Sequence, residues 1–190
     1  MKKIFFATLF CLIFAANSLT CHAGLTRVAD VGAENLHQSM QGFLQASAKK
    51  VNISLIASKL VRTPNADDPK YGLSAWACLY GISNASEPDG EVLFSVNGEG
   101  YVSTLKVISY SNEKEKAANA SLMLLSCLGA LGLTPSEAAQ LMNSLEGDGV
   151  LMSSRVWGST RNRYFSLLAV PRLQSDEGFQ FMVMADDGRK

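Results

Sequence analysis

The residues in this chain that come closest to chemistry are Arg155, Trp157, Arg161 and Arg163, all within one short stretch. Arginine offers a planar fork of donors that matches carboxylate and phosphate groups, and arginine with tryptophan is favoured in protein interfaces. Strand alternation puts Arg155 and Trp157 on one face. Arg161 and Arg163 follow in and after the polar turn Gly158–Asn162. Such a group can receive a protein partner, an anionic glycan or a carboxylate-bearing ligand. The plain alternative is an exposed hairpin with a half-buried tryptophan.

Other chemistry finds less in the sequence. Nucleophilic catalysis would need His37, which falls on a helical stretch with no partner motif, and no Gly-x-Ser-x-Gly elbow is present. His37 is expected to be an exposed helical residue. Gly98-x-Gly100 lacks the third glycine of a dinucleotide loop and leads into a strand, so it reads as a hairpin turn. Glu87, Asp89, Glu91 and Glu99 could supply the paired carboxylates of a glycoside hydrolase, but acids near turns are usually solvated. Asp67-Asp68 lies in a loop and could bind a cation, with a solvated turn as the plainer reading. No metal site and no cofactor is expected, because residues 24–190 hold one histidine, His37, and no close cysteine pair. Asn52, Asn84 and Asn119 each open an Asn-x-Ser sequon, which matters only in a eukaryotic secretory pathway.

The first 23 residues read as a secretory signal peptide. Lys2 and Lys3 form the positive start, Ile4 to Ala16 the apolar segment, and Ala23 the small residue at the cleavage point. Thr20 and Ser18 fit poorly with acylation of Cys21. The short di-lysine start resembles bacterial signal peptides, which implies a periplasmic or secreted location. Residues 24–190 are then one domain, with 15 basic residues against 17 acidic. That balance argues against broad nucleic-acid affinity. No second apolar run reaches spanning length, so no membrane span is expected in the mature chain.

Cys11 and Cys21 leave with the signal, and an even pair in an exported chain is most simply a disulfide between Cys78 and Cys127. Closing so long a loop is worth roughly 4 kcal/mol in the chain-entropy model. Two free buried thiols are the alternative.

These residues need a scaffold, and periodicity supplies one. Helices are expected over 33–49, from Asn112 as N-cap to Gly132, and from Thr134 to Gly147. The latter two form an αα-hairpin, with Thr134-Pro135-Ser136-Glu137 as a capping box and Gly132 as a left-handed cap. Strands are expected over 72–83, 91–96, 101–110, 150–157, 163–170 and 179–185, with a turn at Asn97-Gly98. The stretch 51–61 fits either a strand or a helix by its spacing, and its β-branched content favours a strand. Trp76, Cys78, Tyr80 and Ile82 should share the face turned to the helices. The fold class is α+β: an antiparallel sheet of about six to seven strands with the N-terminal helix and the αα-hairpin on one face. The function this favours is an exported, non-enzymatic protein that binds another macromolecule, such as an inhibitor, immunity-type or accessory factor. The second reading is a cell-envelope hydrolase using paired carboxylates.

Overall fold

The computed structural model describes residues 27–147, 151–171 and 178–186. The expected signal segment, the turn at Asp148-Gly149, the loop after Pro171 and the tail after Asp186 lie outside them. Chain order is α1 (Ala33–Val51), β1 (Leu55–Ala57), β2 (Val61–Arg62), β3 (Ser74–Ile82), β4 (Gly90–Val96) and β5 (Val102–Ser109). Then come α2 (Lys114–Ala130), α3 (Pro135–Asn143), β6 (Glu146–Gly147), β7 (Met152–Gly158), β8 (Arg163–Pro171) and β9 (Phe179–Asp186). A single antiparallel sheet runs in the order β1-β3-β4-β5-β9-β8-β7-β6, with β2 also pairing with β3.

The nine strands among the described residues exceed the six to seven expected, for local reasons. The stretch 51–61 is neither one strand nor one helix. Val51 completes α1, and Asn52 ends it in the left-handed region, its amide bonded to the Ala48 and Lys49 carbonyls. The chain then forms an edge ribbon broken at Ser58, whose amide donates to the Leu79 carbonyl and whose hydroxyl accepts from the Leu79 amide. Glu146–Gly147 adds a strand where the sequence predicts only a helix end.

Local sequence explains the other boundaries. Gly132 takes φ +91° and closes a Schellman motif: its amide bonds to Gly129 and that of Leu133 to Leu128. In the Thr134 capping box, the Thr134 hydroxyl accepts from the Glu137 amide while the Glu137 carboxylate accepts from the Thr134 amide. Helix α2 starts later than expected. Ser111 Oγ accepts from the Glu113 amide, and Asn112 is not the capping residue. The Asn97-Gly98 hairpin forms, but with the positive φ at Gly100 and with Asn97 Oδ1 accepting from the Glu99 and Tyr101 amides. It is thus the three-residue loop with a left-handed third residue.

The topology has two similar halves. Helix α1 leads through the edge ribbon into the meander β3-β4-β5, and α2-α3 lead into the meander β7-β8-β9. The last strands of the two meanders, β5 and β9, pair antiparallel at the centre from Leu105–Val183 to Ser109–Phe179. One face of the sheet and the buried faces of all three helices share one core. Leu36, Met40 and Leu44 come from α1, Leu124, Cys127 and Leu128 from α2, and Leu141 from α3. Cys78, Tyr80, Phe94, Leu105, Phe165 and Val183 come from the strands. Burying each large apolar side chain contributes about 1.5–3 kcal/mol, so this shared layer dominates stability. Trp76 and Ile82 pack against it beside Cys78 and Tyr80, as the alternation predicts.

Candidate interaction surface

Pairing registers fix which residues line the sheet face opposite the helices. One row crosses it as Val61, Ala77, Leu93, Lys106, Met182, Leu168 and Ser153. Beside it run Leu79, Glu91, Ile108, Gln180 and Val170. Two shorter rows complete the far corner: Arg155, Ser166 and Met184, then Trp157, Tyr164 and Asp186. Leu93, Ile108, Leu168, Val170, Met182 and Met184 are all partly exposed, and Leu79 and Trp157 more so. None of these residues belongs to the core shared with the helices. Lys106 sits between Leu93 and Met182. Desolvation pulls its pKa below the usual lysine value, while the Asp68 carboxylate acts in the opposite direction.

The four residues singled out by sequence divide into two pairs. Arg155 and Trp157 are brought together on the outer face through Tyr164. The Arg155 guanidinium lies 4.0 Å from the Tyr164 ring centre and donates to Asp186 Oδ1 at 2.5 Å. Trp157 meets Tyr164 edge to face at 4.8 Å. Trp157 keeps 40% of its surface exposed and the Arg155 side chain 50%, so this corner faces solvent.

Arg161 and Arg163 donate inward instead. Arg161 Nε donates to the Leu131 carbonyl at 3.1 Å, which serves the C-terminal end of α2. The Arg163 side chain is only 15% exposed, and it donates to the Arg27 carbonyl and to Asp30 Oδ2 at 2.8 Å. Both arginines tie distant chain segments to the β7–β8 hairpin. Sequence could not show this, because their partners lie far away along the chain. The same hairpin is held to α3 by Glu137, whose carboxylate accepts from the Ser159 amide at 2.8 Å and the Ser159 hydroxyl at 2.6 Å. Those bonds, the hydroxyl's first, and the Thr134 amide hold the Glu137 carboxyl down at about 2.

A second arginine–aromatic pair does not stand out in the sequence. Arg27 lies 4.2 Å from the Tyr101 ring centre, with Glu99 at 3.6 Å and Asp30 at 3.9 Å. The signal for it is weak, since Arg27 precedes all the regular structure described.

The catalytic candidates are dispersed. His37 is buried at 8% exposure, against the expectation of an exposed position. Its Nε2 lies 2.9 Å from the Ser58 carbonyl, and its ring meets Phe94 edge on at 6.5 Å. It tethers α1 to the edge ribbon. Asp89 is buried and accepts from Asn119 Nδ2 at 2.8 Å, which also removes Asn119 from the accessible sequons. Glu91 lies on the outer face, Glu87 is exposed, and Glu99 faces Arg27. Asp67 is a structural anchor rather than a cation ligand, bonding Arg62 twice at 2.6 Å and the Ala75 amide at 2.8 Å. Among the described residues no group of three or more His, Cys, Asp or Glu is placed to hold a metal ion.

Cys78 and Cys127, expected as a bridge, are both free and buried. Burial pushes the Cys78 thiol up to about 12 and raises Cys127 well above the ordinary thiol range. The thiolate is the reactive form in disulfide exchange, and enclosure in the core disfavours it at both positions. Among the described residues no helix is long and apolar enough to cross a membrane. No protein-family model matches the chain, and neither does any curated protein or solved structure.

Proposed function

We propose that this is an exported, non-enzymatic protein that binds another macromolecule through the outer face of its sheet. It would act as an inhibitor, immunity-type or accessory factor in the periplasm or outside the cell. One observation carries the reading: large apolar side chains spread over several adjacent strands on the face the helices leave uncovered. Antiparallel sheets commonly turn a polar face to water. Here Leu79, Leu93, Ile108, Leu168, Val170, Met182 and Met184 alternate with only a few charged groups. A contiguous apolar surface of this kind marks an interaction site. The Arg155–Tyr164–Trp157 corner provides the aromatic and cationic anchors that such sites favour.

Export rests on the positive start, apolar run and cleavage point within residues 1–23, with residues 24–190 as the exported domain. The hydrolase reading has no comparable support, since Glu87, Asp89, Glu91 and Glu99 do not converge.

The test is affinity capture from envelope and culture fractions, followed by binding measurements with the captured partner. Leu168→Glu with Met182→Glu is expected to weaken binding on the order of a hundredfold while the thermal midpoint barely moves, as losing central interface residues does. Undiminished affinity in that variant would remove the outer face as the site. Intact-mass analysis of the exported form is expected to show a chain beginning at Gly24.

A further inference from the structure

The two outer edges of the sheet are finished differently. Along β3, the ribbon pairs at Trp76 and Ala77 through β2, and at Tyr80, Gly81 and Ile82 through β1. Ser58 bridges the gap at Leu79. Along β7, β6 covers only Met152 and Ser153. From Ser154 to Gly158, β7 pairs with β8 on one side and with no described strand on the other. An uncovered strand edge is a template for another strand.

The run without a described neighbouring strand is Ser154-Arg155-Val156-Trp157-Gly158, with Ser154 Oγ donating to the Leu141 carbonyl of α3 on the core side. Its chemistry is self-complementary when reversed about Val156. Aligned antiparallel with a second copy, Val156 faces its own counterpart on the core side. Ser154 faces the partner subunit's Gly158, two small residues that let the backbones approach. Arg155 faces the partner subunit's Trp157 on the outer side, and the symmetry makes this contact twice. Directly opposed residues on antiparallel strands have Cβ atoms about 4.5–5.5 Å apart. That distance suits a guanidinium over an indole face. Both side chains are already on the outer face and substantially exposed. Arg155 already lies over Tyr164 within its own chain. In the pair it is flanked by a ring on each side.

We infer that β7 joins two copies of this chain into a two-fold dimer, with Val156 on the symmetry axis and the two sheets continuous across it. The interface is isologous, so it closes at two copies rather than extending into a filament. The two outer faces become one uninterrupted surface. The inference stands on the edge of β7 and the side chains of residues 154–158, whether or not the outer face binds a further partner.

Sedimentation equilibrium of the purified protein over micromolar concentrations is expected to show a reversible monomer–dimer balance. Arg155→Glu combined with Trp157→Glu sets two carboxylates opposite each other. This should raise the dissociation constant on the order of tenfold or more, since like charges directly opposed destabilise a strand pair. Trp157→Glu alone sets Arg155 against a carboxylate and should retain the dimer. Register is tested by mixing Arg155→Cys protein with Trp157→Cys protein under mild oxidation. Covalent pairs should form in the mixture and not from either variant alone. Circular dichroism melts confirm that each variant is folded. A monomer at every concentration would overturn the inference. So would a dimer indifferent to the double glutamate variant, or cross-linking as efficient within each single variant as in the mixture.

Discussion

The half built on α1 and β3-β4-β5 and the half built on α2-α3 and β7-β8-β9 share a plan, yet they use their polar residues differently. In the first half these residues close the structure. His37 reaches the Ser58 carbonyl, Arg62 and Asp67 lock the loop beside β3, and a broken ribbon seals the edge. In the second half they hold a hairpin in place while leaving its outer corner free. Glu137 and Arg161 fasten the β7–β8 turn from below, and Arg155 and Trp157 remain in contact with water. One half closes its edge with polar bonds, and the other leaves an aromatic and cationic corner exposed.

Several measurements would sharpen or break that contrast. The largest effects should be equal on the two sides, because the core is common to both. Phe94→Ala and Phe165→Ala each remove a fully buried ring, and each should cost about 3–5 kcal/mol in chemical denaturation. A much smaller loss for Phe165 would show that the second meander is not integrated with the first.

Next comes the buried polar tie between the halves. Asn119→Ala leaves the Asp89 carboxylate without its side-chain donor and should cost about 1–3 kcal/mol. Removing the Thr134 hydroxyl breaks the capping box and should cost about 1 kcal/mol, with the loss concentrated in α3 by hydrogen exchange.

The smallest effect depends on pH. The Glu137 carboxyl sits at about 2 in the folded chain against 4.5 ordinarily, so its contribution is complete above about 4.5 and fades as pH falls towards 2. The Ser159 amide should lose exchange protection across that window, and Glu137→Gln should flatten the dependence. Thiol titration adds a check on the core: Cys78 and Cys127 should stay unreactive in the native protein and both react once it is unfolded.

Much of this architecture is legible in the sequence because it is written locally. The Thr134 box, the left-handed Gly132 and the alternation of Phe179, Phe181 and Val183 are each decided by neighbours within a few residues. The split of the edge ribbon is not, since it depends on Asn52 leaving the helix and on Ser58 meeting Leu79 from across the sheet. The site is half legible for the same reason. Alternation places Arg155 and Trp157 on one face, but the tasks of Arg161 and Arg163 are set by Leu131, Arg27 and Asp30. His37 reads as exposed because helical periodicity says nothing of the ribbon that folds back over it and offers the Ser58 carbonyl.

The central seam has a consequence for how such a chain matures. Strand β9 is the last described strand in sequence, and it is inserted between β5 and β8 rather than added at the rim. Until residues 179–186 have emerged from the ribosome, β5 and β8 have no strand between them and the sheet is divided. Contacts so distant in sequence form slowly. The sheet therefore stays divided until residues 179–186 arrive to join the halves.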